Sequence, residues 1–201
     1  MTRRLLTALF GLGLSVAPVA QAQVPRPSPE FVISLPSGQQ LLLSQYRGKV
    51  VAIEFLLTTC PHCQTCSSLL DKLYKEYSPR GFQPLGVAFN PMAGMLVPDY
   101  VKGLQLSFPV GVSERDPVLD YLRHSSSLRM LVPQLVFVDR KGVIRAQHAG
   151  DSDFFKDEEK NMRAQIEVLL KEPGPKSPLS SKSKKAPASK PASAGAPQAL
   201  Q

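Results

Sequence analysis

Three cysteines stand at positions 60, 63 and 66, and the other 198 positions of the 201-residue chain hold none. A structural disulfide framework spreads its cysteines along the sequence, so a local cluster points to redox chemistry or to a metal. Cys60 and Cys63 flank Pro61 and His62. Residues 50–57 are strongly apolar and β-branched at their start, as in a central strand, and they run straight into Thr58-Thr59-Cys60-Pro61. Thr59 or Cys60 can cap a helix there, and Pro61 suits its first position. Leu69, Leu70, Leu73, Tyr74 and Tyr77 then recur at helical spacing. A cysteine at such a junction faces outward-pointing helix N–H groups, whose partial positive charge favours thiolate over thiol. Cys60 is therefore the candidate nucleophile. Cys63, one turn later, can close a small ring with it, and His62 can add charge or a hydrogen bond to the thiolate.

The elements around this junction alternate. Residues 31–35 and 39–43 read as two short strands about the Pro36-Ser37-Gly38 turn. After the helix, residues 85–89 read as a buried strand, 99–106 as a helix, 108–112 as a strand and 117–123 as a short helix. Residues 135–138 are an apolar strand, and Asp139-Arg140-Lys141-Gly142 turns into another at 143–147. A closing helix is expected over 153–171, with acids crowding its start and Lys171 at its end. Strands alternating with helices, then a hairpin and a helix, describe an α/β sandwich with a central mixed sheet.

The stretch Glu54-Phe55-Leu56-Leu57-Thr58-Thr59-Cys60-Pro61-His62-Cys63 resembles the active-site segment of the thioredoxin superfamily, and its Cys-Pro-His-Cys resembles that of DsbA-like oxidants. Leu131-Val132-Pro133-Gln134-Leu135 resembles the segment that carries the superfamily's cis-proline. Residues 31–49 and Asp139-Arg140-Lys141-Gly142-Val143-Ile144 resemble the TlpA-like periplasmic branch. The 70 residues from Cys63 to Pro133 fit that branch as well, with an insert between the active-site helix and the cis-proline strand. The resemblance implies a thioredoxin-like fold with an N-terminal hairpin. It implies thiol–disulfide exchange on cysteines of exported proteins, with no cofactor and with a membrane redox partner. It places Glu54 as a buried acid that trades a proton with Cys63. It places Val132, ahead of a cis Pro133, where its backbone pairs with a bound substrate strand. Stabilising the Cys60 thiolate stabilises the reduced form, so the pair is expected to be more oxidising than thioredoxin at about −270 mV.

Cys66 reads as a small buried hydrophobe, and His124 and His148 as surface residues. The competing class is metal binding, in which Cys60, His62, Cys63 and Cys66 hold copper or zinc. A regular helix with Pro61 in its first turn does not bring all four together. A peroxidase of the peroxiredoxin type needs threonine and proline where Leu57 and Ile53 stand.

The two ends read as appendages. Residues 1–22 have the form of a secretory leader: Arg3 and Arg4, an apolar run, then Ala20-Gln21-Ala22. Residues 23–29 form a Pro-rich lead-in to a domain at 30–172, and 173–201 is a Lys/Pro/Ala/Ser-rich tail expected to be disordered. Two of the 24 basic residues lie in the leader and five in the tail. All 16 acids lie between, which leaves that segment at +1 out of the chain's +8. The basic balance therefore belongs to the ends and gives no sign of nucleic-acid binding. The tail is suited to anionic envelope surfaces. The domain is expected to act outside the cytoplasm, as a monomer.

Overall fold

The computed structural model describes residues 23–174. The leader at 1–22 and the tail beyond 174 lie outside the described residues. The elements run β1 (Arg26–Pro27), β2 (Val32–Ser34), β3 (Gln40–Leu42), β4 (Val50–Leu56), α1 (Pro61–Tyr77), β5 (Phe82–Ala88), α2 (Ala93–Leu104), β6 (Val110–Val112), α3 (Arg115–Leu122), β7 (Gln134–Val138), β8 (Val143–His148) and α4 (Glu158–Lys171). The strands form one mixed sheet in the order β1-β8-β7-β4-β5-β6-β2-β3.

β4 lies near the middle, parallel to β5 and antiparallel to β7. Both of its faces are covered, which is why its sequence reads as an unbroken apolar run. Val50, Ala52 and Leu56 enter a core built with α1, α2 and α4. Val51, Ile53 and Phe55 enter a second core built with the N-terminal hairpin and α3. Side chains alternate along a strand, so Glu54 falls on the α1 face, among apolar neighbours. Two strand–helix pairs, β5 with α2 and β6 with α3, fill the interval between α1 and β7, as the 70-residue spacing led us to expect.

Three of the boundaries that differ from the sequence reading have a clear physical reason. The lead-in at 23–29 is not separate from the domain. Arg26 and Pro27 pair with Ile144 and Val143, and Ser28 hydrogen-bonds the Tyr121 hydroxyl at 2.9 Å, so the packed unit begins before residue 30. As an edge strand, β1 tolerates its proline. β5 begins at Phe82, ahead of Pro84. The Gly86 N–H points to Pro109 of the β6 side, so Pro84, two residues earlier, lacks its N–H where β6 has not yet begun. α2 begins at Ala93 and passes through Pro98, because Ala93, Val97 and Tyr100 all bury on one stripe.

Candidate active site

The chain leaves β4 through a tight turn that is tied down from two sides. The Thr58 N–H donates to Asn90 Oδ1 at 3.0 Å, Asn90 Nδ2 donates back to Thr58 Oγ1 at 3.1 Å, and Gln64 Nε2 donates to the Thr58 carbonyl at 3.1 Å. This clamp delivers Cys60 as the N-cap of α1, in extended conformation with Pro61 directly after it. The Cys63 N–H donates to Cys60 Sγ at 3.5 Å. Cys60 is half-buried and Cys63 fully buried, and all three cysteines are thiols. Burial pushes the Cys63 thiol well above its ordinary range, with the charge of Glu54 adding to the shift.

Glu54 is 0% exposed. Ser67 donates to its Oε2 at 2.5 Å, the Ser67 and Tyr100 hydroxyls lie 2.8 Å apart, and the Tyr100 hydroxyl donates to the Cys63 carbonyl at 3.2 Å. Burial raises the Glu54 pKa from 4.5 to about 8, against the hydrogen bond from Ser67 that favours its charge. Glu54, Ser67 and Tyr100 thus form a closed polar knot behind the cysteine pair. The sequence reading identified Glu54 but missed Ser67, Tyr100 and Asn90. Ser67 could have been found, since it stands four residues after Cys63 on the same helix face. Asn90 and Tyr100 gave no such signal, because only the tertiary fold brings α2 and its loop to this place.

Cys66 is buried, as expected, but its surroundings are not those of a plain hydrophobe. Its thiol lies beside the carboxyls of Glu54 and Glu158, and burial raises its pKa far above the ordinary cysteine value, with both carboxylates adding to the shift. His62, expected to serve the Cys60 thiolate directly, packs its ring edge-to-face on Phe155 at 4.9 Å, and its charge bears on Glu158. The reason lies at residue 153. Instead of one helix from there, a 3-10 turn (Asp153–Asp157) precedes α4 and brings Phe154 and Phe155 against the two histidines. His148 is correspondingly not a surface residue. Its ring stacks on Phe154 at 3.8 Å, and burial lowers its pKa to about 4.

The Val132–Pro133 peptide bond is cis, as is Val24–Pro25. Pro133 is buried, and Val132 packs with Cys60 against the core cluster that holds Cys63. Gly150 covers this loop from β8. Its N–H reaches the Leu131 carbonyl at 3.4 Å, and a Cβ at Gly150 would stand 2.4 Å from the Val132 oxygen. Gly150→Ala should therefore push the Val132 backbone away and cost about 1–3 kcal/mol, as overpacking does. Urea unfolding measures the loss, and a variant as stable as wild type would show that the loop gives way freely. As for copper or zinc, no group of three or more His, Cys, Asp or Glu among the described residues is placed to hold a metal ion. No helix among them is long and apolar enough to cross a membrane.

A mixed sheet that sets a cysteine pair at the start of the helix after its central strand, near a cis proline, is the plan of the thioredoxin-like folds, and solved structures bear this out. A thiol:disulfide interchange protein of the thioredoxin family from Chlorobium tepidum superposes with a TM-score of 0.60 at 21% identity, over 75% of this chain and 99% of that one. A thiol:disulfide interchange protein from Bacteroides sp. superposes with a TM-score of 0.57 at 21% identity, over 70% of this chain and 91% of that one. At such identities the likeness establishes the fold. The chain belongs to the AhpC/TSA family, whose model matches residues 24–147. Among curated relatives, the thiol-disulfide oxidoreductase ResA of Geobacillus kaustophilus is 26% identical over 59% of this chain and 64% of its own length. ResA of Halalkalibacterium halodurans is 29% identical over 60% of this chain and 65% of its own length. The chain thus spans just under two thirds of the length of these relatives.

Proposed function

We propose that this chain is a thiol–disulfide oxidoreductase working through Cys60 and Cys63. The observation that carries this reading is the asymmetry of the pair. One sulfur is accessible at a helix start and accepts an N–H bond, and the other is sealed behind it, next to a buried acid. In the reductive direction the Cys60 thiolate attacks a substrate disulfide, forming a mixed disulfide and releasing one substrate thiolate. Glu54, when ionised, takes the Cys63 proton. The Cys63 thiolate then attacks Cys60 Sγ, closing the Cys60–Cys63 disulfide and releasing the second substrate thiolate. Two electrons pass to the substrate. The oxidative direction is the reverse. Pro61 fixes the first helical turn, and His62 acts on the site through Glu158. Val132 and Pro133 offer an extended backbone to the substrate strand.

The substrates on this reading are cysteines of proteins in the cell envelope, with a membrane redox partner resetting the pair. The leader-like residues 1–22 support the location, and the relatives' name, thiol-disulfide oxidoreductase, supports cysteines as the substrate groups. A peroxidase would need threonine and proline at the positions of Leu57 and Ile53. The N–H bond to Cys60 and the helix start both stabilise charge on sulfur, and with it the reduced form. Equilibrating the full chain in glutathione buffers should give a midpoint above about −270 mV. A value at or below that figure would overturn this account of the motif.

A further inference from the structure

β4, β5 and β6 run parallel, so β6 ends at the same end of the sheet as Cys60. There the sheet comes apart. Leu43 gives its N–H to the Phe31 carbonyl at 2.9 Å, and Leu35 gives its N–H to the Gln39 carbonyl at 2.8 Å. Backbone groups alternate along a strand, so residues 31, 33 and 35 turn theirs to β3, and Val32 and Ser34 turn theirs to β6. Ser34 is met by Val112. Pairing then stops, because the chain leaves β6 after Val112 and turns into α3. Among the described residues no backbone group meets Val32 on that side.

A cleft of about 1100 Å³ opens at this break, between β2, the loop that leads into α2 and the start of α3. Phe31, Phe89 and Val112 give it an apolar lining. Met92 stands at its rim, 65% exposed and in the left-handed backbone region with a φ of 59°. The charged groups of the cleft are three carboxylates, Glu30, Glu114 and Asp120, against the one guanidinium of Arg115. The loop that carries Met92 also carries Asn90, whose side chain clamps Thr58 two residues before Cys60. Neighbouring strands lie about 4.8 Å apart, so the cleft begins about 10 Å from the cysteine turn. About three extended residues cover that distance.

We propose that this cleft holds the stretch of substrate polypeptide that flanks the reactive cysteine, in extended form and with a lysine or arginine in it. This rests on the disulfide-exchange reading above. The segment adds to the sheet edge at Val32, giving one N–H to the Val32 carbonyl and accepting the Val32 N–H, as extended peptides do at open edges. Its apolar side chains lie on Phe31, Phe89 and Met92, and its cation lies by Glu114 and Asp120. A backbone edge and an adaptable methionine accept many sequences, while the carboxylates reject acidic ones. The site is thereby broad in sequence and selective in charge. The chain's own lysine-rich tail is the less suited occupant. It departs from Gly174 beside Arg140, at the opposite end of the sheet, and it holds few large apolar residues.

The test uses the full-length reduced chain and short peptides whose central cysteine is carried as its nitrobenzoate disulfide. Attack by Cys60 releases the coloured nitrobenzoate thiolate. Two peptides differ only in a lysine or a glutamate about three residues to either side of the cysteine, and the readout is the ratio of their rates. The wild-type chain should favour the lysine peptide by about 5-fold, the size of an ion pair near the surface. Glu114→Lys should remove that preference. Asp99→Lys, the same charge change on an exposed residue of α2 outside the cleft, should keep it. In a scan of single backbone N-methyl groups along the lysine peptide, one position should slow the reaction by up to about 10-fold, the share of one hydrogen bond. Equal rates for the two peptides would overturn the proposal. So would loss of the preference in Asp99→Lys, which would show long-range steering, or a scan without a sensitive position. Carbodiimide crosslinking of Glu114 to a lysine of residues 175–201, undisturbed by the lysine peptide, would give the cleft to the tail and overturn the substrate as its occupant. A chain that fails to react even with dithiobis(nitrobenzoate) would overturn the exchange reading, and the cleft's role with it.

Discussion

Glu54→Gln is expected to make the protein markedly more stable in weak alkali while slowing disulfide exchange. The native carboxyl is held neutral by burial, with its pKa raised from 4.5 to about 8. Between those two values the unfolded chain has released this proton and the folded chain still holds it. Stability therefore falls as pH rises through the window, and the loss is complete above about 8. The whole gap from 4.5 to about 8 corresponds to about 5 kcal/mol. Glutamine does not ionise, so it removes the dependence while still offering Ser67 an acceptor. Urea unfolding at about pH 5 and about pH 8.5 should show a fall for wild type that the variant lacks. Equal falls in the two proteins would contradict a neutral buried Glu54. The same variant has no base for the Cys63 proton, and its second exchange step should slow by about 100-fold.

The two cysteines should fail in different ways. Cys60 is the sulfur a substrate can reach, so Cys60→Ser should reduce insulin-type disulfide exchange to the rate seen without protein. Cys63 is sealed, and burial holds its proton on, so it cannot replace Cys60 as first nucleophile. Cys63→Ser should still attack once and then stall, because nothing remains to displace the substrate from Cys60. If Cys63→Ser turned over like wild type, Cys66 would have to be the resolving thiol.

The parts of this site that could be read from the sequence are those fixed by short-range chemistry. A proline after a cysteine at the end of an apolar strand marks a helix start, and the cysteine spacing sets the pair on consecutive turns of it. Glu54 was legible through resemblance, with its apolar neighbours arguing against a solvent-facing place. Pro133 was legible only through resemblance, since a single proline does not reveal its isomer. What escaped was set by packing between distant segments. The Asn90 clamp, the Tyr100 hydroxyl and the Gly150 cover come from loops and helices about 18 to 37 positions away from the residues they touch. The helical stretch from 153 concealed a break, and that break turned His62 and His148 toward Phe155 and Phe154. Cys66 looked like one more apolar contact of α1 because its two acidic neighbours lie on β4 and α4.

The central claim is that Cys60 attacks and Cys63 resolves. The most direct measurement is the mass and location of the adduct that the full-length Cys63→Ser chain forms with a disulfide-bonded peptide under non-reducing conditions. The account predicts one peptide per chain, attached at Cys60 and released by a thiol reductant, with Cys66 left as a free thiol. No adduct, or an adduct at Cys66, would contradict it.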